Sequence, residues 1–189
     1  MKRGFTLIEV LVVLALLTTI GSLILSIITS MARTVSKTTA INRVTQNGSA
    51  AIIQITKTLR NAKSFNGISV DGSEYATDCS VSVLPLTPTP TPTEYHVVKI
   101  KDFTDKDIKF VCLEGILGIK EGDDIIQFVN ESEVAVTSCS FTCSQASTFE
   151  PPTIGISFTL SQATEETLPE RTVSPIPFQT TIRLRNVNR

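Results

Sequence analysis

A single carboxylate, Glu9, stands at the head of an apolar run, and only two basic residues, Lys2 and Arg3, precede it. An acid there is expensive in a lipid setting, so its chemistry is ion pairing with a partner or display at the headgroup level. Four cysteines, Cys79, Cys112, Cys139 and Cys143, supply the other reactive groups. Two chemistries compete for them, disulfides and zinc. The spacings C-x32-C, C-x26-C and C-x3-C lack the paired close ligands of a zinc site, which favours disulfides and an oxidising compartment. Three connectivities are open. A Cys139–Cys143 bridge requires the chain to reverse at Ser140-Phe141-Thr142. On one strand those two residues would lie roughly 13 Å apart, beyond the ~7 Å Cα limit of a bridge.

Other groups carry weaker signals. The lone histidine, His96, lies in a strand-like run with no nucleophile motif nearby, and no glycine-rich phosphate loop occurs. Asp102, Asp105 and Asp107 invite a calcium reading, but their spacing misses the loop pattern and its glycine turn, so a solvated turn is expected. Arg183, Arg185 and Arg189 form a basic tail that could touch DNA or a neighbouring acid, or blunt a strand edge. No catalytic residue, cofactor or metal is expected, and the chain is not read as an enzyme.

The elements that must position these groups begin with the membrane. Val10 to Ala32 is 23 residues without a formal charge. As a helix it reaches roughly 34 Å, enough to cross a hydrocarbon core of ~30 Å. Lys2 and Arg3 would hold the amino end in the cytoplasm. The run is too long for a secretory signal peptide, and Ser30-Met31-Ala32 is a poor cleavage site. Beyond Arg33, apolar residues recur at Ile41, Val44, Ala51/Ile52, Ile55, Leu59 and Ala62, the spacing of one helical face. The pattern predicts one helix from about Thr6 to Lys63, ending before Asn66-Gly67, with a break at Asn47-Gly48 as the alternative.

The remaining chain reads as β-rich. Ile154 to Leu160 and Phe178 to Leu184 alternate cleanly between apolar and polar positions. Tyr95–Ile100, Lys109–Leu113, Ile125–Val129 and Val134–Val136 are further strands, with a turn at Glu121-Gly122-Asp123-Asp124 between the second and third of them. A repeat of proline and threonine, Pro85 to Thr93, predicts an extended surface loop. Glu150-Pro151-Pro152 and Leu168-Pro169 to Pro177 predict two more loops. One antiparallel head packed on the amphipathic half of the helix gives an α+β architecture. Without Lys2 and Arg3, 15 basic residues face 18 acidic ones, net −3, so no global attraction to nucleic acid follows.

Lys2-Arg3-Gly4 followed by Phe5-Thr6-Leu7-Ile8-Glu9-Val10 resembles the class III signal of type IV pilins and type II secretion pseudopilins. The match is specific from Lys2 to about Leu16. The resemblance implies a leader of residues 1–4, cleavage between Gly4 and Phe5 by a prepilin peptidase, and N-methylation of Phe5. It places Glu9 at the family's acidic position, four past the new terminus. It also implies a transmembrane and filament-core half (5–32), an amphipathic half (33–65) and an extracytoplasmic head (67–189). The partners it implies are other pilin or pseudopilin subunits, the membrane and an assembly platform protein. The subunit would be a single-pass protein of the cytoplasmic membrane, then part of an extracellular or periplasmic filament. Major pilins often close a loop with cysteines near the C-terminus, and those here stop well short of Arg189, which points to a minor pilin or pseudopilin. The alternative is a minor pilin whose head binds DNA, a surface or a secreted substrate.

Overall fold

The computed structural model describes residues 6–79, 94–113, 115–122, 124–147, 150–163 and 173–185. The proposed cleavage pair Gly4 and Phe5, the Pro85–Thr93 repeat, Asp123, Leu168-Pro169 and Arg189 lie outside them.

Helix α1 runs unbroken over Leu7–Arg60, 54 residues and roughly 81 Å at the usual rise. Its buried residues, Val44, Gly48, Ala51, Ile55 and Leu59, recur every three or four positions along one face. There is no break at Asn47-Gly48. Both residues are tied to the head instead, and this outweighs the roughly 1 kcal/mol helical penalty of glycine. Asn47 donates from Nδ2 to Glu133 Oε2 at 3.1 Å, and its Oδ1 accepts from the Asn130 amide at 3.1 Å. Gly48 lets the ring of Phe178 lie against the helix backbone, because a Cβ there would stand 2.2 Å from Phe178 Cζ.

The helix stops three residues earlier than the sequence predicts, with Asn61 as its C-cap. Asn66-Gly67 is no helix terminator. It lies inside strand β1 (Ser64–Ser69), where Gly67 at φ +122° sits at a register shift against the next strand. A Cβ on Gly67 would come within 2.9 Å of Tyr75 Cβ.

Among the described residues seven strands follow β1: β2 (Val97–Lys101), β3 (Asp107–Leu113), β4 (Ile116–Glu121), β5 (Asp124–Gln127), β6 (Val134–Ser144), β7 (Thr153–Gln162) and β8 (Ile176–Arg183). All pairings between them are antiparallel. They form a five-stranded sheet ordered β1-β2-β3-β4-β5 and a three-stranded sheet ordered β6-β7-β8. The turn at Gly122 therefore does not join the Lys109 strand to the Ile125 strand, as the sequence predicts. β4 intervenes, and the turn connects β4 to β5. Gly118 within β4 permits this pairing, since a Cβ there would lie 2.6 Å from the Ile126 carbonyl oxygen.

The helix packs chiefly on β8 and β7. On the same inner face Ile154, Ile156, Phe158 and Leu160 of β7 are buried beside Phe141 of β6. The five-stranded sheet contributes Val98, Ile100, Phe110 and Leu117 to one continuous core. Paired hydrogen bonds between Tyr95, just ahead of β2, and Phe141 of β6, 2.9 and 2.7 Å, link the two sheets.

Replacing Gly48 by alanine sets a helix gain of about 1 kcal/mol against overpacking of about 1–3 kcal/mol. Phe178 is stacked on Phe158 at 5.3 Å and has little room to withdraw, so Gly48→Ala is expected to destabilise the head. In a Phe178→Ala background the sign should reverse, leaving the helix gain alone. Urea melts of the four combinations in detergent measure this; a Gly48→Ala variant as stable as the parent would refute the close contact.

Candidate assembly site on the stem

Every large apolar side chain from Leu7 to Met31 is between 47% and 79% exposed. No residue from Thr6 to Thr39 is buried. This half carries a window of mean hydropathy 2.6, long and apolar enough to cross a membrane. Four of its hydroxyls bond back onto the helix itself. Thr18 donates to the Ala15 carbonyl at 2.9 Å, Thr19 to Leu16 at 2.9 Å, Ser22 to Thr19 at 2.8 Å and Thr29 to Ser26 at 3.0 Å. Such back-bonding satisfies polar atoms where no water is present.

Thr6 is the N-cap, with extended backbone and no side-chain cap. Glu9 therefore falls in the first turn, and its amide donates to the Thr6 carbonyl at 3.1 Å. A carboxylate in this turn is favoured by the positive end of the helix dipole. It is exposed, so the dipole leaves it open to a partner outside the chain.

The cysteines form two bridges, Cys79–Cys143 and Cys112–Cys139, each with a Cα–Cα distance of 5.6 Å. Cys139 and Cys143 both lie on the continuous strand β6, so no reversal occurs at Ser140-Phe141-Thr142 and each sulfur finds a partner elsewhere. Cys112 is on β3, which makes the second bridge a covalent link between the two sheets.

Asp102, Asp105 and Asp107 are engaged by groups of the chain itself. Asp102 Oδ1 accepts from the amide and hydroxyl of Thr104, 2.7 and 2.6 Å, and from the Lys106 amide at 3.1 Å. The Thr104 hydroxyl, ahead of the amide bonds, holds this carboxyl below the usual aspartate range. Asp105 pairs with Lys63 at 2.6 Å, and that bond lowers its pKa likewise. Asp107 pairs with Lys99 at 3.0 Å. Among the described residues no group of three or more metal-ligating side chains converges. In the tail, Arg183 is paired with Glu150 at 3.1 Å, which spends one of the two described arginines of the basic cluster inside the head.

The Asn47 clamp and the Gly48–Phe178 contact escape sequence reading. Both join segments more than 80 residues apart, and no local pattern marks them. The only sequence signal for either is a helical asparagine and glycine with no turn behind them.

A long helix, apolar and bare at one end and seated on antiparallel sheets at the other, defines an α+β protein of pilin-like architecture. Residues 1–25 match the prokaryotic N-terminal methylation motif, the signal of type IV pilins and pseudopilins. That motif implies a processed, single-pass, membrane-anchored subunit that is handled by a prepilin peptidase and assembles with other pilins. Its family is structural rather than enzymatic. No curated protein matches the chain, and no solved structure does.

Proposed function

We propose that the chain is a minor pilin or pseudopilin of a type IV filament. The observation that carries this is the stem. Its apolar half follows the methylation motif directly and has no covering surface among the described residues, while its upper half is locked to a disulfide-bonded head. A helix with that division suits two environments in turn, lipid first and a bundle of like helices afterwards.

In this reading a peptidase removes residues 1–4, and Phe5 becomes the N-methylated terminus. Residues 5–32 anchor the subunit and later line the filament core. Residues 33–65 carry the head, which begins near residue 67 and stands outside the cytoplasmic membrane, with the N-terminus inside. An assembly platform protein would extract the subunit, and Glu9 would pair with the Phe5 amine of a neighbour to set the axial step. Such pairing gains strength in low dielectric, with desolvation offsetting part of it.

Mass spectrometry of the mature amino terminus tests the first step. The expected product begins at methylated Phe5. A chain beginning at unmodified Met1, or cut after Ala32, would overturn the reading.

A further inference from the structure

The chain's one histidine lies beside a disulfide. His96 immediately precedes β2, and its carbonyl accepts from the Cys112 amide at 2.8 Å. The β2–β3 register places the two residues opposite one another, so their side chains share one face of the sheet. They line a pocket of about 250 Å³ together with Cys139, Thr137 and Ser138. His96 Nδ1 is buried and has no hydrogen-bond partner among the described residues. A buried ring nitrogen left unpaired is costly, so one without a partner in this state points to a partner in another. Thiols are what this disulfide becomes when it opens, and a thiol is a hydrogen-bond donor.

We propose that His96 is the proton donor and acceptor for thiol–disulfide exchange at Cys112–Cys139, with the pocket as the entry for an external dithiol. Cys139 is half-buried, whereas Cys112 is only 3% exposed, so Cys139 is the sulfur open to attack. In the reducing direction an external thiolate attacks Cys139 Sγ. The Cys112–Cys139 bond breaks, Cys112 leaves with the electron pair, and the His96 imidazolium protonates it. The second external thiol, as its thiolate, then attacks the mixed disulfide and releases Cys139 as a thiolate, which takes up a proton from solvent. The external pair ends as a disulfide and the protein as a dithiol. Oxidation runs the same steps in reverse: an external disulfide accepts the two electrons, and His96 takes the Cys112 proton. The pocket lining beside His96 includes Cys112 from β3 and Cys139 from β6, which do not titrate while bonded to each other. No carboxylate, lysine or arginine among the described residues lines it. Cys79–Cys143 has no histidine to play this part and serves as an internal control.

The test is reduction of the full-length protein in detergent by dithiothreitol at one neutral pH. Each disulfide is followed separately by alkylation and mass spectrometry. Opening of Cys112–Cys139 should be on the order of tenfold slower in His96→Gln, and added imidazole should restore part of that loss, with Cys79–Cys143 unchanged in both proteins. An identical rate in His96→Gln would overturn the proposal. So would a slowing that imidazole does not relieve, or a parallel change at both disulfides, which is what mere loosening of the head produces.

Discussion

Glu9→Ala is expected to leave the subunit in the membrane and out of the filament. Two terms push the same way. A carboxylate in the first turn of the apolar half is unfavourable in lipid, by less than the ~2.5–3.5 kcal/mol of a charge at the bilayer centre, so its removal makes membrane residence easier. The same change deletes the proposed partner of a neighbour's terminal amine. Two unit charges at 4 Å attract by about 4 kcal/mol at an effective dielectric constant near 20, and desolvation removes part of that. A net loss of only ~1.4 kcal/mol per contact lowers association tenfold. Incorporation of Glu9→Ala subunits should therefore drop at least tenfold, with membrane level and head folding unaltered. Glu9→Gln should fail almost as badly, and Glu9→Asp should recover part of the loss, since charge returns on a shorter side chain. Sheared filaments compared with membrane fractions by immunoblot give the measurement. Wild-type incorporation of Glu9→Ala would end the pairing idea while leaving the processed anchor intact. The head cannot compensate for this loss, because the clamp at Asn47 and the Phe178 ring hold only the upper stem.

The second large effect concerns the disulfides. The bridges close sequence separations of 27 and 64 residues. Loop-closure entropy assigns them about 3.5 and 4 kcal/mol respectively. Length alone thus separates them little, and packing decides which matters more. Cys112 is 3% exposed in the core and its bridge spans both sheets, so Cys112→Ala with Cys139→Ala also loses contacts across the core. That pair is expected to lower head stability by about 4 kcal/mol, and Cys79→Ala with Cys143→Ala by about 3 kcal/mol after the usual shortfall from the entropy value. A domain of this kind has a total of roughly 5–15 kcal/mol. Either pair alone should leave a folded head, and the four-alanine variant should be largely unfolded at 37 °C. Both tyrosines, Tyr75 and Tyr95, lie in the head, so near-ultraviolet dichroism during urea denaturation reports on it. A loss under 1 kcal/mol for the Cys112 and Cys139 pair would show that the sheets hold together without their covalent link.

Much of this architecture is legible in the residues because it depends on local periodicity. The apolar run and the three- and four-residue spacing above it mark a helix, and α1 spans both. Ile154 to Leu160 and Phe178 to Leu184 alternate with a period of two; the first lies within β7 and the second in β8 as far as Arg183, each with one side turned to the core. Gly155 sits at a position of β7 between core residues and leaves the alternation intact. β1 and β4 carry Gly67 and Gly118 at buried positions amid consecutive buried residues, so neither strand shows a period of two. Those glycines make room for close neighbours that the local pattern does not announce, Tyr75 in one case and the Ile126 carbonyl across the sheet in the other.

The candidate site divides along the same line. Glu9, its basic leader and its apolar run are consecutive, so the apolar stretch and the lone carboxylate at its head belong to the sequence by itself. Which cysteines meet, that β6 stays straight between Cys139 and Cys143, and that Asn47-Gly48 grips the head are decided only in three dimensions. Each depends on segments separated by tens of residues, whose approach is set by the burial of a shared core and leaves no periodic trace in the chain.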